Sequence, residues 1–214
     1  MNSSVPESVP GRSHYSQRYF RGGRVFSYAH QIDSVLSFKP QSVLEVGVGG
    51  GVVTAALRAM GIAVTTLDVQ PELGPDILGS VTNIPCEDNS YDVALCCQVL
   101  EHLPFDQFGP ALGELRRVVR SGLILSLPDV TRHHFVYMKL PKLPMFQWSW
   151  SLPHIRSEKM PQSQFDRDGH CWEIGFAGYP SKRVLNSIMT TGWHVASTWR
   201  VPEMTWHRFF RLTK

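Results

Sequence analysis

The stretch Val43-Leu44-Glu45-Val46-Gly47-Val48-Gly49-Gly50-Gly51, with the later apolar run that ends at Leu67-Asp68, decides how this chain folds. An apolar run breaking into alternate glycines, then Val52, Val53, Ala56 and Leu57 facing inward, reads as strand, turn and helix. The second run reads as the next parallel strand, ending in a carboxylate. Together they describe a nucleoside-binding sheet edge. A dinucleotide fingerprint needs G-x-G-x-x-G, whose third glycine lets the helix pack closely. Here Val52 holds that position, and its β-branched side chain argues against a nicotinamide or flavin. The pattern is instead acid-x-Gly-x-Gly-x-Gly from Glu45 to Gly51. Alternate glycines let the backbone approach a ligand that carries no phosphate, and Glu45 can hold an ammonium or its water shell.

The alternation continues on both sides. Strands are predicted at 42–46, 63–67, 79–84, 91–97 and 122–127, with helices at 51–60 and 108–119. Before them, 15–38 turns aromatic and basic, then amphipathic, with Phe26, His30, Val35 and Leu36 on one helix face. After them, a helix at 181–191 stops at Gly192, and strands at 193–200 and 205–212 share a connection short enough to require antiparallel pairing. The expected fold is α/β: a Rossmann-like, doubly wound, seven-stranded sheet, mostly parallel with an antiparallel last strand and helices on both faces. Residues 1–40 form an arm and leading helix. Residues 41–214 form the domain, with an insertion at about 128–180 that serves as lid and substrate pocket.

With 214 residues, 43% of them apolar, the chain can bury a full core. Its formal charge of +3 is spread out and forms no basic stripe, which argues against nucleic acid. Cys86, Cys96, Cys97 and Cys171 include no C-x-x-C pair and read as reduced. No apolar run approaches the roughly 20 residues that span a bilayer. The first ten residues are polar with prolines, unlike a signal peptide. A cytoplasmic protein is expected.

Glu45–Gly51, Asp68, Asn83-Ile84-Pro85, Tyr91-Asp92-Val93-Ala94 and Gln98-Val99-Leu100-Glu101-His102-Leu103 occur in an order and spacing that resembles the class I S-adenosylmethionine-dependent methyltransferases, small-molecule type, over residues 41–127. The resemblance implies S-adenosyl-L-methionine as cofactor and S-adenosyl-L-homocysteine as product. Gly47, Gly49 and Gly51 would line its methionine and ribose portions, with Glu45 beside them. Asp68 would accept both ribose hydroxyls, since two acceptor oxygens match a vicinal diol. Val69 and Ile84 would touch the adenine end, Asn83 could read an edge, and Gln98 and Val99 would flank the methionine part. Where the family often places an acid for the adenine amino group, this chain has Ser80. Tyr15, Tyr19 and Phe20, with Arg18, Arg21 and Arg24, resemble a leading helix that folds over the cofactor, Tyr19 closing the methionine end.

For the acceptor side, His102 either packs or acts as a base. His170 and Glu173 would share a helix face after Gly169, so that Glu173 orients His170. His133, His134, His154 and Glu158 are further pocket residues, but their spacing fits no standard metal site, and no metal is expected. Trp148, Trp150 and Trp172 could stack on a ring or pack in the core. Asp92 serves the fold. Cys97-Gln98-Val99-Leu100 replaces the Asn/Asp-Pro-Pro-aromatic motif of amino-directed DNA methylation. The expected partner is a small-molecule or glycan-type acceptor methylated at oxygen, with a possible homodimer through Phe209-Phe210. The alternatives are a non-catalytic module that keeps the fold, and a methyltransferase acting on RNA or protein.

Overall fold

The computed structural model describes residues 11–15, 17, 19–142, 146–151, 159–160 and 169–214. Seven strands form one sheet: β1 (Ser42–Val46), β2 (Ala63–Asp68), β3 (Ile77–Leu78), β4 (Tyr91–Cys97), β5 (Val119–Pro128), β8 (His194–Val201) and β9 (Met204–Thr213). Their order is β3-β2-β1-β4-β5-β9-β8. The strands from β3 to β5 pair in parallel, and β9 runs antiparallel to both β5 and β8. The expected seven-stranded, mostly parallel sheet with an antiparallel last strand is therefore present. Helices α1 (Gly23–Leu36), α2 (Val52–Ala59), α3 (Phe105–Val118) and α4 (Ser181–Thr190) cover it. Strands β6 (His133–Met138) and β7 (Phe146–Ser151) form a separate hairpin.

Reversal of strand order between β1 and β4 opens a crevice at their carboxyl ends, where ligands bind in such sheets. Two cores flank the sheet. One holds Leu44, Phe108, Leu112, Trp172 and Phe210, and the other Val43, Val53, Leu57, Ile124 and Phe209. Phe209 and Phe210 are both fully buried, so they pack the two faces and offer no dimer edge.

Several predicted elements shift. Residues 79–84 are not a strand: β3 is the two residues before them, and side chains satisfy the backbone that follows. Ser80 Oγ accepts the Thr82 amide, Glu114 accepts the Ile84 amide, and Arg117 donates to the Ile84 carbonyl. Helix α3 starts three residues early, at Phe105 after Pro104; the internal Pro110 disguises that start. Helix α1 buries Ser27, Gln31, Ser34 and Val35 and leaves Phe26 and Leu36 exposed, because its inner face meets a polar cleft. On α2 the buried residues are Val53, Thr54 and Leu57, and Val52 faces outward.

Asp92 does serve the fold. Against the cost of its burial, the Ser42 and Gln41 amides and Arg120 hold its carboxyl down at about 2. Among the described residues no helix is long and apolar enough to cross a membrane. All four cysteines are free thiols.

Candidate active site

The glycine loop turns in the left-handed region at Gly47, Gly49 and Gly51, with φ of 82°, 53° and 71°. A Cβ on Gly47 would lie 2.4 Å from Val99 Cγ2, so this position needs glycine for both backbone and space. Asp68 ties the loop to the end of β2. One carboxylate oxygen accepts the Val48 amide and the other the Gln70 amide, each at 2.9 Å. Each oxygen keeps a second lone pair for a further donor. Glu45 is buried beneath the loop and accepts the Thr54 hydroxyl. Burial raises its carboxyl to about 7, with Thr54 and Arg58 opposing. Glu45, Gly47, Gly49, Gly51, Gln98 and Val99 all line one cleft. Gln98 has a φ of 57°, rare for a residue with a side chain, and its Nε2 donates to Ser126 Oγ. Val69 follows Asp68 and is half-buried.

This cradle suits an adenosyl amino acid. It has a backbone stripped of side chains, an acid beside the loop and a second buried acid below it. Four expected contacts do not line the cleft: Asp68, which meets it only through the Val48 amide, Val69 beside it, Asn83 and Ile84. Ile84 is buried in the core with Leu100 and Phe108, because its backbone is clamped onto α3 by Glu114 and Arg117. Asn83 is exposed. Ser80 Oγ shares a hydrogen bond with Thr82 Oγ1.

The amino-terminal arm closes the other wall, as irregular turns rather than the expected leading helix. Tyr15, Tyr19 and Arg24 line the cleft. Arg24 lies 3.8 Å over the Tyr19 ring and donates to its hydroxyl. A Cβ on Gly50 would lie 2.1 Å from Phe20 Cζ, so the arm seats on the loop itself. The cleft keeps about 80 Å³. Small-molecule sites hold roughly 300 Å³ or more, so the arm leaves this cleft narrower than an ordinary ligand site. Arg18 lies outside the described residues.

Beyond Gln98-Val99, a polar group gathers at the carboxyl end of β4. Residues 169–175 form no helix, yet His170 Nδ1 and Glu173 Oε1 meet at 2.7 Å, as the sequence pairing expects. The His102 ring packs edge-on to His170 with centroids 4.9 Å apart, and its Nδ1 lies 3.1 Å from the Gly169 carbonyl. His170 Nε2 points toward Glu101 Oε1 at 3.9 Å. Glu101 is fully buried, and neither of its carboxylate oxygens has a hydrogen-bond partner among the described residues. Burial raises that carboxyl to about 7, with His170 opposing. Burial also raises the Tyr19 hydroxyl, and the nearby Glu101 adds to it. The group follows the cleft residues Gln98 and Val99 in the chain without itself lining the cleft.

Sequence reasoning missed His207 and Ser27. His207, on β9, and Ser27, on α1, both line the cleft and share a hydrogen bond of 2.8 Å. Burial depresses the His207 imidazole to about 3, so it is neutral, and its Nε2 has no partner among the described residues. No local spacing signals a pair 180 residues apart.

Other expected pocket residues lie elsewhere. Trp172 is core, packed among Phe105, Phe108 and Tyr179 with its Nε1 donating to Leu103. His133 pairs with Ser151 in the hairpin, and His134 stacks on Trp150. Thr131, His133, Phe135 and Tyr137 wall a second groove of about 1060 Å³ against α1, β8 and β9. His154 and Glu158 lie outside the described residues.

Residues 44–127 match the methyltransferase domain family. No curated protein matches the chain. Among solved structures, the chain is similar to the PH0226 protein of Pyrococcus horikoshii OT3, with 12% identity, a TM-score of 0.61, and 98% of this chain and 96% of that one covered. It is also similar to magnesium protoporphyrin IX methyltransferase of Synechocystis PCC 6803 with bound S-adenosylmethionine, with 14% identity, a TM-score of 0.59 and full coverage of both chains. A third is 1,6-didemethyltoxoflavin-N1-methyltransferase of Burkholderia thailandensis, with 14% identity, a TM-score of 0.58, and 88% and 78% covered. At these identities the structures bear on the fold alone.

Proposed function

We propose, from the premise that this chain is a class I S-adenosylmethionine-dependent methyltransferase with its methyltransferase domain at residues 44–127, that it methylates a small-molecule or glycan-type acceptor at oxygen. One observation supports the choice of oxygen: the His170–Glu173 pair gathers with His102 and Glu101 directly after Gln98 and Val99, the cleft residues that follow β4. An amine needs no strong base, whereas a hydroxyl must lose its proton as it attacks.

When bound, the cofactor supplies a methyl already activated on a sulfonium. In this reading the glycine backbone at 47, 49 and 51 holds its amino-acid end, with Glu45 facing the ammonium. Asp68 accepts the ribose hydroxyls with its remaining lone pairs, and Val69 touches the sugar or base. Gln98 and Val99 flank the sulfur side, and Tyr19 on the arm shuts out water. Glu173 fixes His170 so that its Nε2 takes the acceptor's proton, and His102 packs against that ring.

The domain is read as residues 41–214, with the arm at 1–40 and the insertion at about 128–180 supplying the acceptor walls. The four free thiols fit a cytoplasmic setting. Calorimetric titration with S-adenosylhomocysteine, S-adenosylmethionine and NAD tests the cofactor site. Adenosyl binding lost in Asp68→Ala, with none for NAD, supports the reading, and no adenosyl binding overturns it. Screening hydroxyl and amine acceptors with the same protein then tests the methylated atom.

A further inference from the structure

We infer that Glu101, His102 and His170 form a binding site for one divalent transition cation. Each offers one ligand atom, and those atoms lie within 4.8 Å of one another. Two imidazoles and one carboxylate are a donor set used for zinc and for non-haem iron, with further positions open to an exogenous ligand.

Proximity alone would mean little, but two further features point to an ion. The first is Glu101. A fully buried carboxylate with both oxygens unpartnered is costly, and a bound cation satisfies it where no donor among the described residues does. The second is the outer set of contacts. Ligating histidines characteristically give their other ring nitrogen to a carboxylate or a carbonyl. Here His170 Nδ1 is held by Glu173 at 2.7 Å and His102 Nδ1 by the Gly169 carbonyl at 3.1 Å. Glu173 thereby turns His170 Nε2 toward Glu101.

Three hydrogen bonds to backbone carbonyls fix this geometry. The Cys171 amide donates to the Glu101 carbonyl, Cys171 Sγ to the His102 carbonyl, and Trp172 Nε1 to the Leu103 carbonyl. They lock the segment carrying His170 and Glu173 onto the segment carrying Glu101 and His102. The sequence hides the site because its ligands come from two stretches far apart in the chain.

Cation binding does not depend on the oxygen-directed reading; its role does. In that reading the cation binds the acceptor hydroxyl and lowers its pKa, and the proton leaves to water. The oxygen then forms a bond to the methyl carbon as the carbon–sulfur bond breaks. His170 is in that case a ligand and not the proton acceptor.

The test is titration of chelator-treated, full-length protein with Co²⁺, followed by its visible absorption bands and by calorimetry, with Zn²⁺ as competitor. We expect saturation at one equivalent and displacement by Zn²⁺. Glu101→Gln and His170→Ala should abolish the bands, while Glu173→Gln weakens affinity about 10- to 100-fold. His194→Ala, an exposed histidine elsewhere, should leave the titration unchanged. Absence of one-equivalent binding in the wild type, or unchanged affinity in folded Glu101→Gln, overturns the proposal. If Glu101→Gln fails to fold by circular dichroism, Glu173→Gln decides in the same way. S-adenosylhomocysteine binding by the same samples keeps the readings separate, since its loss sinks the methyltransferase reading without touching the cobalt result.

Discussion

Residues 41–127 and residues 128–180 of this chain were built by different kinds of contact. In the first region the ligand-facing groups are backbone amides and strand-end acids, each fixed by a local turn: the glycine loop after β1, Asp68 ending β2, Gln98 after β4. In the second, the groups proposed to serve the acceptor come together only across the fold. His170 reaches Glu101, and the core residue Trp172 anchors the same segment to Leu103. Backbone geometry can be read from glycine spacing and hydrophobic period, but a pocket assembled from distant side chains cannot. The cofactor side is accordingly specified twice, by sequence and by structure, and the acceptor side only once.

The largest expected effect lies on the acceptor side. His170→Ala should lower kcat about 100-fold or more, whether His170 takes the acceptor's proton itself or holds the cation that acidifies the acceptor, with S-adenosylhomocysteine affinity unchanged. Equal loss in both measurements would break the division between the two regions, because His170 would then be shaping the cofactor cleft. Asp68→Ala should do the reverse. It removes a charged acceptor and leaves the Val48 and Gln70 amides without their partner. At about 1.5–3 kcal/mol for a hydrogen bond to a charged group, calorimetry should show affinity falling at least tenfold.

Glu45 ties the cofactor side to pH. Its carboxyl is raised to about 7 by burial, so the folded protein holds a proton that the unfolded chain releases near the ordinary 4.5. The stability this group contributes is full below about 4.5 and is lost as pH rises through about 7, an effect on the order of 3 kcal/mol. Urea unfolding at pH 5 and pH 8 should show the wild type losing stability on the alkaline side, and Glu45→Gln should remove part of that slope, the rest belonging to Glu101, which burial raises to the same range. An unchanged slope would show that Glu45 contributes none of it.

What was legible follows the same line. The mostly parallel sheet, the antiparallel last strand, the glycine loop and the His170–Glu173 pair all followed from local period and spacing. The pair formed without the helix that suggested it, because the Cys171 amide anchors the segment to Glu101 instead. Ile84 misled because its apolar character suits a core as well as an adenine face; the Glu114–Arg117 clamp, invisible to spacing, settled it for the core. Glu101 was passed over because nothing in the sequence says that an acid is buried without a partner. The hairpin β6–β7 carries His134, Val136, Met138, Phe146, Trp148 and Trp150 at matching registers on one face. That pattern reads as a strand face in retrospect, but tryptophans among prolines read first as a lid.

The smallest effect sharpens the comparison from within the cofactor side. Ser80 stands where the resemblance expects an acid for the adenine amino group, and its hydroxyl is already engaged with Thr82. Serine reaches less far than aspartate and carries no charge. Ser80→Asp should therefore tighten S-adenosylhomocysteine binding by one charge-assisted hydrogen bond, less the cost of releasing Thr82. The net is about 0.5–1.5 kcal/mol, or roughly 2- to 10-fold. An inosine analogue, with a carbonyl in place of the amino group, should gain nothing. Equal gain for both ligands would mean that the new charge acts at a distance and not through the adenine edge. Loss for both would place Ser80 in the turn that supports Ile84, and the resemblance would then end at Asp68.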